Sequence, residues 1–438
     1  MSIQKYRLKP RPGALEAIKE AYSAKNPESK AAFDEAVTVL PGGGTRKTLY
    51  VDPFPLFITG GKGQHVTDVD GHEYWDLAGD FVSGLYGKTN PILRSAIMEA
   101  LDSGIQLGMH TKKEAEFATL IRDRLPSMEL IRFTNSGTEA NLQAICASMH
   151  YTGRSKVAVF SNSYHGGVVA DFYPGGARAN EPGSLTLKVP FDYLICPYND
   201  LEKTRELVND LKDDVACIIV EPMQGAGGCI PGTPEFLRGL RELSKAIGAV
   251  LIFDEIQTAR LAYNGLQGVY EIKPDMTTIG KYFGGGLAFG AYGGRKEIMS
   301  MFDTRKAVHV KVGGTFNNSI MTVSAGIAAL RYVMTRPALE KVNTLGDMMR
   351  AEIMALFAKL GAPFEMTGVG AINEIHCLLP GPEGLSGQHL LFFGLLDKGI
   401  AIAQRGLCAL TLLAEEGDIH RLTRAIQEVL EGDLFCSI

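Results

Sequence analysis

The 438-residue sequence predicts an α/β fold, with a large domain on a mainly parallel sheet and a smaller α+β domain. Two observations carry this. Short, continuously apolar runs alternate with helical stretches from about residue 90 onward, the pattern of strands buried on both faces. Each run also ends in polar, titratable or glycine-rich residues, and in parallel sheets ligands bind at that end of the strands.

Residues 14–38 read as helical, and Pro41-Gly42-Gly43-Gly44 then breaks the chain before Thr45-Arg46. Between about 55 and 77, alternation such as Gln64-His65-Val66-Thr67-Asp68 flanks Asp70-Gly71, a hairpin signal. The apolar runs include 130–133, 156–160, 215–220 and 249–253. An Ala- and Met-rich helix over about 320–359 follows, then short strands near 372–379 and 407–413, and a helix from about 417. The expected division is an N-terminal arm with part of the small domain (1–90), a large cofactor-binding domain (91–325) and a C-terminal small domain (326–438).

The formal net charge of −5 gives no global attraction to nucleic acid or to anionic lipid. No apolar run is long enough to span a bilayer, and the basic start MSIQKYRLKPRPG has no apolar stretch behind it. The 7 cysteines form no C-x-x-C pair, which argues against a disulfide framework or a metal site and for a reducing, cytoplasmic setting.

Reading past each run locates the chemistry. Ser136-Gly137-Thr138-Glu139 follows the first. Its structural alternative is a capping box that needs no ligand; its functional reading is a phosphate cradle of free N–H groups and hydroxyls at a helix start. Tyr164-His165 follows the second run, either as core aromatics or with Tyr164 lying over a flat ring. Glu221 follows the third, and Asp254 the fourth. A buried carboxylate needs a cation, either a structural Arg or Lys or the protonated nitrogen of a pyridine ring. Lys281 lies between Thr277-Thr278-Ile279-Gly280 and Gly284-Gly285-Gly286. Most lysines are solvated, but one desolvated at a sheet edge can attack an aldehyde. A nucleotide-binding oxidoreductase would require G-x-G-x-x-G after an early strand, and the late glycine run lacks that spacing.

The pieces FTNSGTEANLQAI, YHGG, VEPMQG, FDEIQT, TTIGKYFGGGLAFGAYGG and GGTFNN, over about 130–320, together resemble class III (subgroup II) aminotransferases of pyridoxal-5′-phosphate (PLP) fold type I. The resemblance reaches back to PGGGTR near the start. It implies an aspartate aminotransferase-like fold and PLP as cofactor, with Lys281 bound to it as a Schiff base and then shuttling the substrate proton. It further implies that Asp254 pairs with the pyridine nitrogen, that Ser136, Gly137 and Thr138 hold the phosphate, and that Tyr164 stacks on the ring. Gln257 lies where the family contacts the ring 3′-oxygen, and Glu221 is a supporting carboxylate. Thr315 would reach the cofactor of a neighbouring subunit, which makes the expected assembly a homodimer with shared active sites.

Arg46 and Arg405 match arginines that position substrate in β-amino acid aminotransferases, the β-phenylalanine type among them; alone, each would be read as a solvated surface charge. The expected reaction moves the amino group of a carboxylate-bearing amine, a β-amino acid, to a 2-oxo acid. The alternative is an intramolecular 2,1-aminomutase of the glutamate-1-semialdehyde type. One departure is that Thr258 runs into Ala259-Arg260-Leu261-Ala262, where members acting on simple amines carry glycines and aromatics.

Overall fold

Apolar residues on both faces of successive strands require a sheet with cover on two sides, and the computed structural model, which describes residues 6–169 and 188–438, has one. The chain divides into two compact units: one is the segment through Asn90 together with Thr344–Ile438, the other Pro91–Asn343.

The second unit is built on a seven-stranded sheet. Its strands are β1 (Leu130–Thr134), β2 (Lys156–Phe160), β3 (Asp192–Cys196), β4 (Val215–Val220), β5 (Val250–Asp254), β6 (Met276–Gly280) and β7 (Gly290–Gly294), in the spatial order β1-β7-β6-β5-β4-β2-β3. β7 runs antiparallel to both neighbours, and the other strand pairs of the sheet are parallel. Alternate residues serve opposite faces. Val157, Val159, Cys217, Ile219, Val250 and Ile252 pack with helix α1 (Gly137–Thr152) on one side. Ala158, Phe160, Ile218, Val220, Leu251 and Phe253 pack on the other with α2 (Leu201–Asn209) and α3 (Pro234–Ile247). Burying a Phe, Ile or Leu side chain stabilises by about 1.5–3 kcal/mol each, so this double layer fixes where the strands end. α3 shows the local logic: Thr233 accepts the N–H of Phe236, Pro234 opens the first turn, and Gly248 closes the helix at φ 69°.

β3 and β7 were not among the expected runs. β7 reads Gly-Ala-Tyr-Gly-Gly and has no apolar periodicity. Its glycines serve close approach instead: a Cβ on Gly290 would lie 2.1 Å from the Ser136 carbonyl oxygen. Gly290 pairs with both Gly280 and Thr134, which draws the residue before Lys281 and the start of α1 together.

In the first unit, the expected helix over 14–38 is two, Ala14–Lys25 and Pro27–Ala36, because Pro27 forces a break at Asn26. The hairpin forms as read, with His65–Asp68 antiparallel to Glu73–Asp76. Phe364–Val369, Ile372–Cys377 and Leu407–Ala409 make a three-stranded sheet. The long helix expected over 320–359 is also interrupted: a helix at Ile320–Ala328 and a wider turn to Val333 end before Arg336-Pro337 opens Arg336–Leu360. Among the described residues, no helix is long and apolar enough to cross a membrane.

Candidate active site

Nine of the eleven expected site residues belong to the second unit, and eight of them lie at or just after strand ends of its sheet. Ser136 precedes α1 with extended backbone, and its hydroxyl accepts the N–H of Glu139 at 3.1 Å. The Glu139 carboxylate reaches back to the N–H of Asn135 (2.9 Å), one residue beyond the N-cap that a regular capping box would use. Ala140 N–H takes the Ser136 carbonyl. The N–H groups of Gly137 and Thr138 are the two of that first turn left for a ligand, at the positive end of a 16-residue helix. Side chains are excluded from the approach: a Cβ on Gly137 would meet Ile256 at 2.5 Å, and one on Gly166 would meet Thr138 Oγ1 at 2.4 Å.

Asp254, 4% exposed, closes β5. Its Oδ2 accepts from Asn141 Nδ2 at 2.7 Å and lies 2.8 Å from His165 Nδ1, while Oδ1 accepts the Ile256 N–H at 3.1 Å. His165 Nε2 is buried without a hydrogen-bond partner. Asn141 is itself oriented, donating to the His165 carbonyl at 3.0 Å and accepting from Thr278 Oγ1 at 2.6 Å. Asn141, His165 and the Ile256 N–H fix the position of the Asp254 carboxylate at the end of β5, where it can answer a cationic ring N–H.

Glu221 is also buried; it accepts the N–H groups of Tyr164 (3.0 Å) and Gly225 (3.1 Å). Burial pushes its carboxyl above the usual range, His165 opposes that shift, and Asp254 adds to it. Tyr164 is 36% exposed, with its backbone N–H anchored on Glu221. Gln257 Oε1 is buried with no hydrogen-bond partner, and a Cβ on Gly225 would come within 2.2 Å of it. Lys281, half-buried, follows β6 in the left-handed region at φ 52°. The next residue, Tyr282, donates its hydroxyl to the Gln257 carbonyl at 3.2 Å, which ties the lysine turn to the loop after Asp254.

Thr315 is exposed on the segment before Ile320–Ala328, where Asn317 Oδ1 accepts from Asn135 Nδ2 at 2.9 Å. Arg46 and Arg405 belong to the first unit. Arg46 is exposed, with its guanidinium 5.1 Å from the Phe81 ring centroid. Arg405 is ion-paired with the buried Glu374.

Asn141 and Thr278 were missed as supports for Asp254. A signal was there for Asn141: it lies on the same helix face as Gly137, Ala140 and Ala144, and a polar side chain on a buried face demands a partner.

These residues fit PLP. Asp254 answers a protonated ring nitrogen, the free N–H groups of Gly137 and Thr138 answer a phosphate, the orphaned Gln257 oxygen answers a ring hydroxyl, and a lysine amine answers an aldehyde. The family model for aminotransferase class III matches residues 48–430. The β-phenylalanine transaminase of Variovorax paradoxus is 42% identical over 428 residues, covering 95% of this chain and 96% of that protein. Glutamate-1-semialdehyde 2,1-aminomutase 2 of Lachnoclostridium phytofermentans is 38% identical over 355 residues, 79% of this chain and 83% of that protein. The crystal structure of a β-phenylalanine aminotransferase from V. paradoxus superposes with a TM-score of 0.89 at 40% identity, covering 95% of this chain and 96% of that one. With the family model spanning most of the sequence and the fold type I architecture around the site, the chain belongs to the class-III aminotransferases and depends on pyridoxal 5′-phosphate.

Proposed function

We propose that this enzyme takes the amino group from a carboxylate-bearing amine, a β-amino acid, and gives it to a 2-oxo acid in two half-reactions. The observation that carries the substrate class is Arg46. Among the described residues no carboxylate or other hydrogen-bond acceptor engages its guanidinium, so its N–H edge is uncommitted. A guanidinium is the natural bidentate holder of a carboxylate. Arg405 is already paired with Glu374, so it meets a second carboxylate only by sharing or exchanging that partner. The 42% identity to a β-phenylalanine transaminase supports the same substrate class.

Bound PLP supplies an aldehyde and an electron-poor ring that accepts the electron pair of the substrate's C–H bond. The chain's residues do the rest. Gly137, Thr138 and the Ser136 hydroxyl hold the phosphate, Tyr164 lies over the ring, and Gln257 meets the ring oxygen. Asp254, steadied by Asn141 and His165, keeps the ring nitrogen protonated. Glu221 fixes the Tyr164 backbone and so the approach to the ring. Lys281 would hold the cofactor through its aldehyde, and its freed amine would take the proton from the amine-bearing carbon and deliver it to the cofactor's former aldehyde carbon. The enzyme acts in the cytoplasm as a homodimer, with Thr315 serving the partner's cofactor; its exposure and the Asn317–Asn135 tie support that role.

Arg46→Ala is expected to raise KM for 3-amino-3-phenylpropanoate roughly 10- to 100-fold, the worth of a charge-assisted hydrogen bond, with a smaller change in kcat. Steady-state kinetics with 2-oxoglutarate as acceptor read this directly. An unchanged KM contradicts the substrate assignment, and product formed without any 2-oxo acid points to intramolecular transfer.

A further inference from the structure

Gly79, Asp80, Phe81 and Val82 are consecutive and all have positive φ, at 55°, 49°, 52° and 79°. Such a left-handed turn costs free energy at every residue that is not glycine, and most at a β-branched one such as Val82. It persists only where its surroundings over-determine it, and here they do. Asp76 Oδ1 accepts the Gly79 N–H at 3.0 Å. Lys88 Nζ bridges Asp76 (2.7 Å) and Asp80 (2.9 Å), tying the start of the turn to the strand before it. Gly84 N–H closes on the Gly79 carbonyl at 2.9 Å. Val82 and Leu85 are wholly buried anchors, and a Cβ on Gly79 would lie 2.9 Å from the Ala409 carbonyl.

What the strained turn delivers is the Phe81 ring, left partly exposed with the Arg46 guanidinium over it. A cation over an aromatic face is held by the ring's quadrupole, which spends none of the guanidinium's N–H donors. A flexible arginine so held also loses less rotamer entropy when a ligand binds. We infer that Phe81 is a positioning residue for Arg46, fixed by the left-handed turn Gly79–Val82 so that the arginine presents its N–H edge to the substrate carboxylate. This rests on the reading that Arg46 holds that carboxylate, and extends it to a residue that shapes specificity.

The test uses the PLP-loaded enzyme and a double-mutant cycle. Phe81→Leu, which keeps an apolar side chain but removes the π face, is expected to raise KM for 3-amino-3-phenylpropanoate about fivefold, mainly in KM rather than kcat. Phe81→Trp should restore it. In an Arg46→Ala background the same Phe81→Leu change should add less than about twofold. Lys88→Met, which unclamps the turn and leaves both partners intact, should raise the same KM about threefold; it keeps the test open if Phe81→Leu folds poorly. Should Arg46→Ala raise KM while Phe81→Leu and Lys88→Met leave it unchanged, the inference falls and the substrate reading stands. An equal Phe81→Leu effect in both backgrounds also overturns it, because Phe81 would then act without Arg46. An Arg46→Ala variant with wild-type KM overturns the substrate reading and this inference together.

Discussion

Lys281→Ala is expected to lower kcat by about 10³-fold or more while leaving the fold in place. Lys281 follows the last residue of β6, and its side chain is half-buried and outside the core. Removing it therefore opens no packed interior, and alanine at φ 52° is no more strained than lysine. What is lost is the one group assigned both to hold the cofactor and to move the substrate proton. The unfolding temperature should stay within about 2 °C of the parent, and turnover of 3-amino-3-phenylpropanoate with 2-oxoglutarate should nearly vanish. A variant within tenfold of the parent rate would show that another base does the work.

Asp254→Asn is the second large effect, expected to lower kcat about 10²- to 10³-fold, the scale of losing one preorganised electrostatic contact. The substitution conserves size, so a loss cannot be laid to a cavity. Its chemistry is wrong twice. Asn141 Nδ2 and His165 Nδ1 both converge on Oδ2, so the new amide must turn its oxygen to them and its NH₂ toward the Ile256 N–H. It also brings no charge to keep a ring nitrogen protonated. Stopped-flow or steady-state rates at saturating donor separate this from weaker cofactor binding, and kcat within about threefold of the parent contradicts the role.

Much of this was legible in the sequence, and the reasons are physical. Strands β2, β4 and β5 carry unbroken apolar runs because both of their faces are covered, and a polar residue at the end of such a run stands out. That is why Asp254 and Glu221 could be singled out before any geometry. β7 could not be, since its glycines answer neighbouring carbonyls rather than a periodic face. The supports of Asp254 were equally hidden: Asn141 and Thr278 lie 113 and 24 positions from it and meet it only through the fold. The turn at Gly79–Val82 defeats sequence reading altogether, because Asp-Phe-Val is a poor left-handed sequence held there by Asp76 and Lys88. The break at Pro27 was readable in principle, as the residue before a proline leaves the helical region, and Pro337 sits in the first turn of its helix, where proline is tolerated.

The most direct test of the central claim is the visible absorption spectrum of the purified, PLP-loaded protein before and after adding 3-amino-3-phenylpropanoate without any 2-oxo acid. A yellow band that disappears with the β-amino acid and returns on adding 2-oxoglutarate or pyruvate is the predicted result, because the first half-reaction runs alone and the second reverses it. A band that persists unchanged in the β-amino acid would contradict the assigned donor, and a protein that shows no such band after PLP is supplied would contradict the active site itself.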